Sequence, residues 1–187
     1  MTQKSSTFLD ELVNAARGCL ALLTGNRQAA THFDFSYRGL VGSIIAFLIA
    51  SGLGAFGGQL FGLQSAPGAA TQALVLGGIL FLLQIGVSYL VLRQMGRLDG
   101  FVPFLVADNW ATFFTSFLSL GLLLFGGPSD IIFIAIGIVV IIVEVNIARL
   151  IVTLAPLQIA LFIVAQLVAS TAGLLLLGGL VPSAPAV

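Results

Sequence analysis

Charge is scarce in this chain of 187 residues. Only 7% of it is Asp, Glu, Lys or Arg, against about 25% in a typical soluble domain, while 59% is hydrophobic. A soluble domain of this size has too little interior for so many apolar side chains, because most of its residues face water. An ordinary soluble fold and a disordered chain are both excluded, and lipid is the solvent that fits. Seven basic residues balance seven acidic ones without a basic block, so no nucleic-acid partner is expected. One Cys excludes an intrachain disulfide and a Cys-rich metal site. One His removes most zinc and His-based catalytic sites. HExxH, GxSxG, Walker A and dinucleotide fingerprints are all missing, so the expectation is a protein that is not an enzyme and carries no cofactor.

What is present is a set of long apolar runs whose ends are marked by the few charges. Lys4, Asp10, Glu11, Arg17, Arg27, Asp34 and Arg38 fall in the first 38 positions, and Arg93, Arg97 and Asp99 form a second cluster. Five runs lie between the charges, at 39–62, 71–92, 101–126, 131–154 and 156–180. Each exceeds the roughly 20 residues that cross a hydrocarbon layer, where backbone groups must be satisfied within the segment. The runs are continuous and too long for barrel strands. The expected fold is therefore all-α and integral to a membrane, with residues 1–38 as a cytoplasmic arm, 39–180 as a five-helix domain and 181–187 as a short external tail. Runs four and five nearly fuse, so a turn is expected near 149–156, with Pro156 in the first turn of the last helix. The short connection predicts that these two helices are antiparallel neighbours.

With the N-terminus in the cytoplasm, all seven Lys and Arg residues fall inside. This matches the positive-inside bias and predicts a cytoplasmic N-terminus and an external C-terminus. Residues 7–24 read as an amphipathic helix. Phe8, Leu9, Leu12, Val13, Ala16, Cys19, Leu20 and Leu23 share one face, Thr7 and Asp10 supply a capping signal, and Gly25-Asn26 a stop. Acidic Asp10 and Glu11 do not suit a secretory leader. The apolar face suits the lipid interface, a partner groove or the underside of the bundle itself.

Two further features bear on packing and function. Small residues recur at every fourth position of the first run, at Gly42, Ala46, Ala50, Gly54, Gly58 and Gly62. This extended GxxxG pattern is expected to serve as a helix-packing ridge, and the shorter series Ala165, Ala169 and Gly173 is one candidate partner for it. Polar residues gather at one depth near the inner leaflet: Tyr89, Arg93, Asp108, Asn109, Glu144, Asn146, Arg149 and Gln158. Ionisable groups in a membrane are costly and are functional candidates by default. Glu144 is expected to pair with Arg93, Arg97 or Asn109, either as a structural clasp or as a proton or ion step. Gln84 and Gln166 lie near mid-membrane, and each needs a partner, with each other as one candidate.

Residues 97–104 (RLDGFVPF), followed by 107–110 (ADNW), resemble a segment of small multi-span bacterial inner-membrane proteins, and the layout is similar to that of Yip1-type five-span proteins. The resemblance implies a non-enzymatic membrane protein that works through partners. The leading expectation is an inner-membrane scaffold or accessory subunit that organises a larger assembly with a membrane-protein partner or a second copy of itself. The alternative is a subunit of a small channel or transporter that uses the intramembrane acids.

Overall fold

Stretches of twenty residues without charge can satisfy their backbone in lipid only as helix, and that is the form they take. The computed structural model describes residues 7–60, 67–126 and 129–178, and there is no strand among them. Six helices follow in order: α1 (Phe8–Leu23), α2 (Tyr37–Leu60), α3 (Ala69–Gln94), α4 (Phe101–Gly126), α5 (Asp130–Asn146) and α6 (Pro156–Gly178). The last five are long and apolar enough to cross a membrane. The protein is thus all-α and multi-pass, with one helix ahead of its spans. The tail at 181–187 and Gly62 lie outside the described residues.

α4 is the hub. Of its membrane window 44% is buried, against 6% for α3 and 11% for α6. α2 packs along α4 through the buried Ser43, Ala46 and Ala50. α6 runs mainly along α3 and makes little contact with α5, which corrects the expected pairing of the last two helices. The reason lies in side-chain size. α5 is built of Ile and Val, whereas Gly173 lets α6 approach α3 so closely that an added Cβ would come within 2.7 Å of Leu80 and 2.9 Å of Leu83.

The turn between α5 and α6 falls where the sequence places it. After α5 the chain widens into a π-helical turn, Ile147–Ile151, and then breaks at Thr153, whose φ of 58° is left-handed and unfavourable for a β-branched residue. Arg97, from the α3–α4 connection, holds the break. Its Nη1 donates to Thr153 O at 2.7 Å, and its Nη2 donates to Val152 O and Thr153 Oγ1 at 2.5 Å. Pro156 opens α6, where its missing N–H costs nothing, and Ala155 N donates to Gln158 Oε1 at 3.0 Å.

α1 begins with a full capping box between Thr7 and Asp10, and these hydrogen bonds hold the Asp10 carboxyl below its ordinary pKa. The helix lies against α4 and α5, and also touches α2. It divides into three sectors. Ala15, Gly18 and Leu22 are buried against the rest of the protein. Leu9, Val13 and Leu20 point outward and remain exposed, and Asp10, Asn14 and Arg17 are exposed polar residues. The underside of the bundle therefore takes one flank of α1 and leaves an apolar flank beside it. Gly18 admits the Phe33 ring, which would lie 2.6 Å from an added Cβ. Asn146 Nδ2 donates to Leu22 O at 2.8 Å and ties α5 to the end of α1. Burial pushes the Cys19 thiol up to about 12, so Cys19 packs as a small apolar residue and not as a thiolate.

Candidate functional site

Of the eight polar residues expected in one layer, only two meet at a site. Asp108 on α4 and Glu144 on α5 come together, with their carboxyl groups close enough to act on each other. Asp108 stands seven residues into α4, and Glu144 seven residues before the end of the π-helical turn that continues α5, each roughly 10 Å along the axis at 1.5 Å per residue. They line a cavity of about 150 Å³ among α3, α4, α5 and α6. Among the described residues no basic side chain lines it, and its remaining polar groups are Gln84, Ser88, Gln166 and Ser170. The other lining residues are aliphatic or phenylalanine.

Those four residues form a reciprocal clasp between α3 and α6. Gln84 Nε2 donates to Ser170 Oγ at 3.0 Å, and Gln166 Nε2 donates to Ser88 Oγ at 2.6 Å. Each serine then donates to the backbone carbonyl of the glutamine one turn before it, Ser88 to Gln84 O at 2.7 Å and Ser170 to Gln166 O at 2.8 Å. The same Gln-x-x-x-Ser spacing on two antiparallel helices produces the matched pair, because residues four apart lie on one face. The sequence marks Gln84 and Gln166 as needing partners, and the structure supplies each with the serine of the other's helix. Both serine hydrogens are spent, and Gln166 Oε1 is buried without a partner.

The other expected members of the layer lie elsewhere. Asn109 is 1% exposed, and its Nδ2 donates to Ser43 Oγ on α2 at 3.1 Å. It turns away from Glu144 because neighbouring helical residues point about 100° apart. Asn146 serves α1, and Gln158 meets the backbone before α6, as described above. Tyr89 packs edge-on against Phe101 at 5.4 Å. Arg93 and Arg149 are exposed. Arg97 is engaged by Thr153, Val152 and Asp99. The expected pairing of Glu144 with Arg93, Arg97 or Asn109 is thus replaced by a pairing with Asp108. The arginines sit near the helix ends, where Arg93 and Arg149 are exposed and Arg97 meets backbone carbonyls, instead of entering the apolar layer.

The small-residue ridge also resolves into separate parts. Ala46 and Ala50 are buried against α4. Gly42 makes room for the Glu11 carboxyl of α1, which would lie 2.8 Å or less from an added Cβ. Burial raises the Glu11 pKa, with Asp34 adding to the effect and Arg38 opposing it. At Gly54 an added Cβ would meet nothing within 4 Å, and the residue borders a cavity between α2, α3 and α4. No side-chain environment is described for Gly58. A stripe with a strict period of four drifts by about 40° per step, so one straight partner helix cannot follow it along the full span. The candidate partner Gly173 lies against α3, not α2.

Among the described residues, no three His, Cys, Asp or Glu side chains gather where they could hold a metal ion. The site is therefore an acid pair beside a polar cavity inside the spans, suited to binding one small positive species. Compared with protein-family models, with curated proteins and with solved structures, the chain matches none.

Proposed function

We propose that this protein is a non-enzymatic subunit of a small channel or transporter of the bacterial inner membrane, and that a small cation or a proton passes by way of Asp108 and Glu144. The observation that carries the reading is the pairing of two acids from different spans beside a polar cavity that no basic residue lines. A clasp whose only role was to hold helices together is better served by an acid with a base, or by neutral groups such as the Gln–Ser clasp next to it, since an uncompensated acid pair is costly in a membrane. The scaffold reading loses support from the ridge, because Ala46 and Ala50 are already occupied within the chain. Five spans do not divide into two equal inverted halves. The working unit is accordingly an assembly with a membrane-protein partner or a second copy, for which the sparsely buried α3 and α6 leave room.

The orientation that follows from the basic residues has the N-terminus inside. Reporter fusions are expected to place the 93–100 connection in the cytoplasm and the C-terminus outside, and a cytoplasmic C-terminus would overturn it. Function is tested in proteoliposomes, with the protein alone and with any partner that co-purifies in mild detergent. Wild type should dissipate an imposed proton or sodium gradient. Glu144→Gln should lose at least about 90% of that flux, a tenfold change corresponding to about 1.4 kcal/mol, while keeping the wild-type melting temperature. No flux in wild type, or unchanged flux in both Glu144→Gln and Asp108→Asn, would reject the reading.

A further inference from the structure

The contact between the two carboxyls has a chemical requirement. An ionised carboxylate only accepts hydrogen bonds, so two carboxyl groups bond to each other only when at least one carries a hydrogen. Asp108 and Glu144 are brought together from α4 and α5 at one cavity that no described basic residue lines, so a shared hydrogen is what lets the two carboxyls sit side by side. A metal cation held between them would instead separate their oxygens, with each oxygen directed at the ion. Ca²⁺ demands about six to eight oxygen ligands and Mg²⁺ a near-octahedral shell. Here the polar neighbours on α3 and α6 are engaged with one another through the Gln–Ser clasp.

The cavity beside the pair favours a donor. Its two hydroxyl hydrogens are spent on backbone carbonyls, and Gln166 Oε1 is a buried acceptor with no partner. A volume of about 150 Å³ has room for several waters, and the acids, Gln and Ser on its wall offer the polar partners that bound water needs. Among the described residues no other titratable group lines the cavity with the pair, and the polar groups that α3 and α6 contribute to it are Gln and Ser. On α1 and α2, the Glu11 carboxyl is acted on by Asp34 and Arg38. Arg97 is bound to the break after α5 and to Asp99, and Arg93 and Arg149 are exposed.

We infer that the species this site holds is a proton, shared between the Asp108 and Glu144 carboxyls and exchanged with water that hydrogen-bonds to Gln166 Oε1 in the cavity. The inference names the transported species for the function proposed above and rests on that reading. The step balances simply. A hydronium in the cavity transfers one proton to the singly protonated pair, an O–H bond breaks on the hydronium and another forms on a carboxyl oxygen, and neutral water remains. The net charge of the pair goes from −1 to 0, and release is the reverse step. Gln166 is a positioning residue in this scheme. It holds the water and does not itself take the proton.

The test is infrared spectroscopy of the full chain in lipid nanodiscs, which reads protonated carboxyls whether or not transport occurs. At neutral pH a protonated-carboxyl stretching band is expected, shifting in deuterated water and unaffected by saturating sodium or potassium. Glu144→Gln should remove it and Asp108→Asn should move it. Gln166→Leu should keep the band but slow its exchange with deuterium several-fold. Glu11→Gln, a control remote from the site, should leave it unchanged. A neutral-pH spectrum without this band, or a band abolished by sodium, would overturn the proton inference, and flux of that cation would still support the transport reading. A band that behaves as expected in a protein without proton flux would uphold the proton site and reject the transport reading.

Discussion

Ala46→Leu is expected to force α2 away from α4 and to lower stability by about 1–3 kcal/mol, the usual range for inserting bulk into a packed contact. Ala46 is wholly buried where the two helices meet. In lipid the hydrophobic effect does not hold helices together, so close approach and dispersion contact do, and a branched side chain at the contact removes both along a full turn. Gly54→Leu, on the same helix and in the same repeat, is expected to change stability by less than about 0.5 kcal/mol, the range for a substitution that meets no packed neighbour. The space beyond Gly54 is open, and a leucine there enters the adjoining cavity of about 270 Å³. Thermal unfolding of both variants in one detergent checks the contrast. Equal losses at the two positions would mean that the whole small-residue stripe is a contact surface.

Trp110→Ala is expected to have the larger effect, about 3 kcal/mol, at the lower end of the range for removing a buried large aromatic side chain. Trp110 is 1% exposed and packs against Phe113 at 5.7 Å, Phe114 at 6.1 Å and Phe8 of α1 at 6.0 Å. The lower end applies because lipid is nearly as apolar as the protein interior. Most of the cost is therefore the cavity left behind, with little from transfer out of water. Losing the contact with Phe8 should also loosen the start of α1, so amide hydrogen exchange over Phe8–Leu23 should accelerate more than exchange in α6. Trp110→Phe should recover most of the loss. An α1 whose exchange is unchanged in Trp110→Ala would show that its docking rests on Ala15, Gly18 and Leu22 alone.

Much of the fold is legible in the sequence because membrane solvation acts on single segments. A run such as 71–92 is too apolar for water and long enough to cross a bilayer, and no tertiary information is needed to see that it is helical. Capping is equally local. Thr7 with Asp10, and Pro156 at the start of α6, act within one turn of chain and stand where the sequence indicates, and Ser129 caps α5 in the same local way. Helix pairing is less legible. Chain proximity favours α5 with α6, but size complementarity at Gly173 puts α6 on α3, and that complementarity depends on two side chains, Leu80 and Leu83, about ninety residues earlier in the sequence.

The sequence by itself determined the membrane class, the five spans and the amphipathic helix ahead of them, because each follows from the local balance of apolar and polar residues against lipid and water. It also singled out Asp108 and Glu144, since a charge inside an apolar run is visible without a structure. Only the tertiary structure decided that these two acids face each other, that the basic residues remain at the rim, and that Gln84 and Gln166 exchange serines beside them. The physical reason is rotational. Depth in the membrane can be counted along the chain, but the direction in which a side chain points depends on how each helix is turned against its neighbours, and those turns are set by packing between residues far apart in sequence.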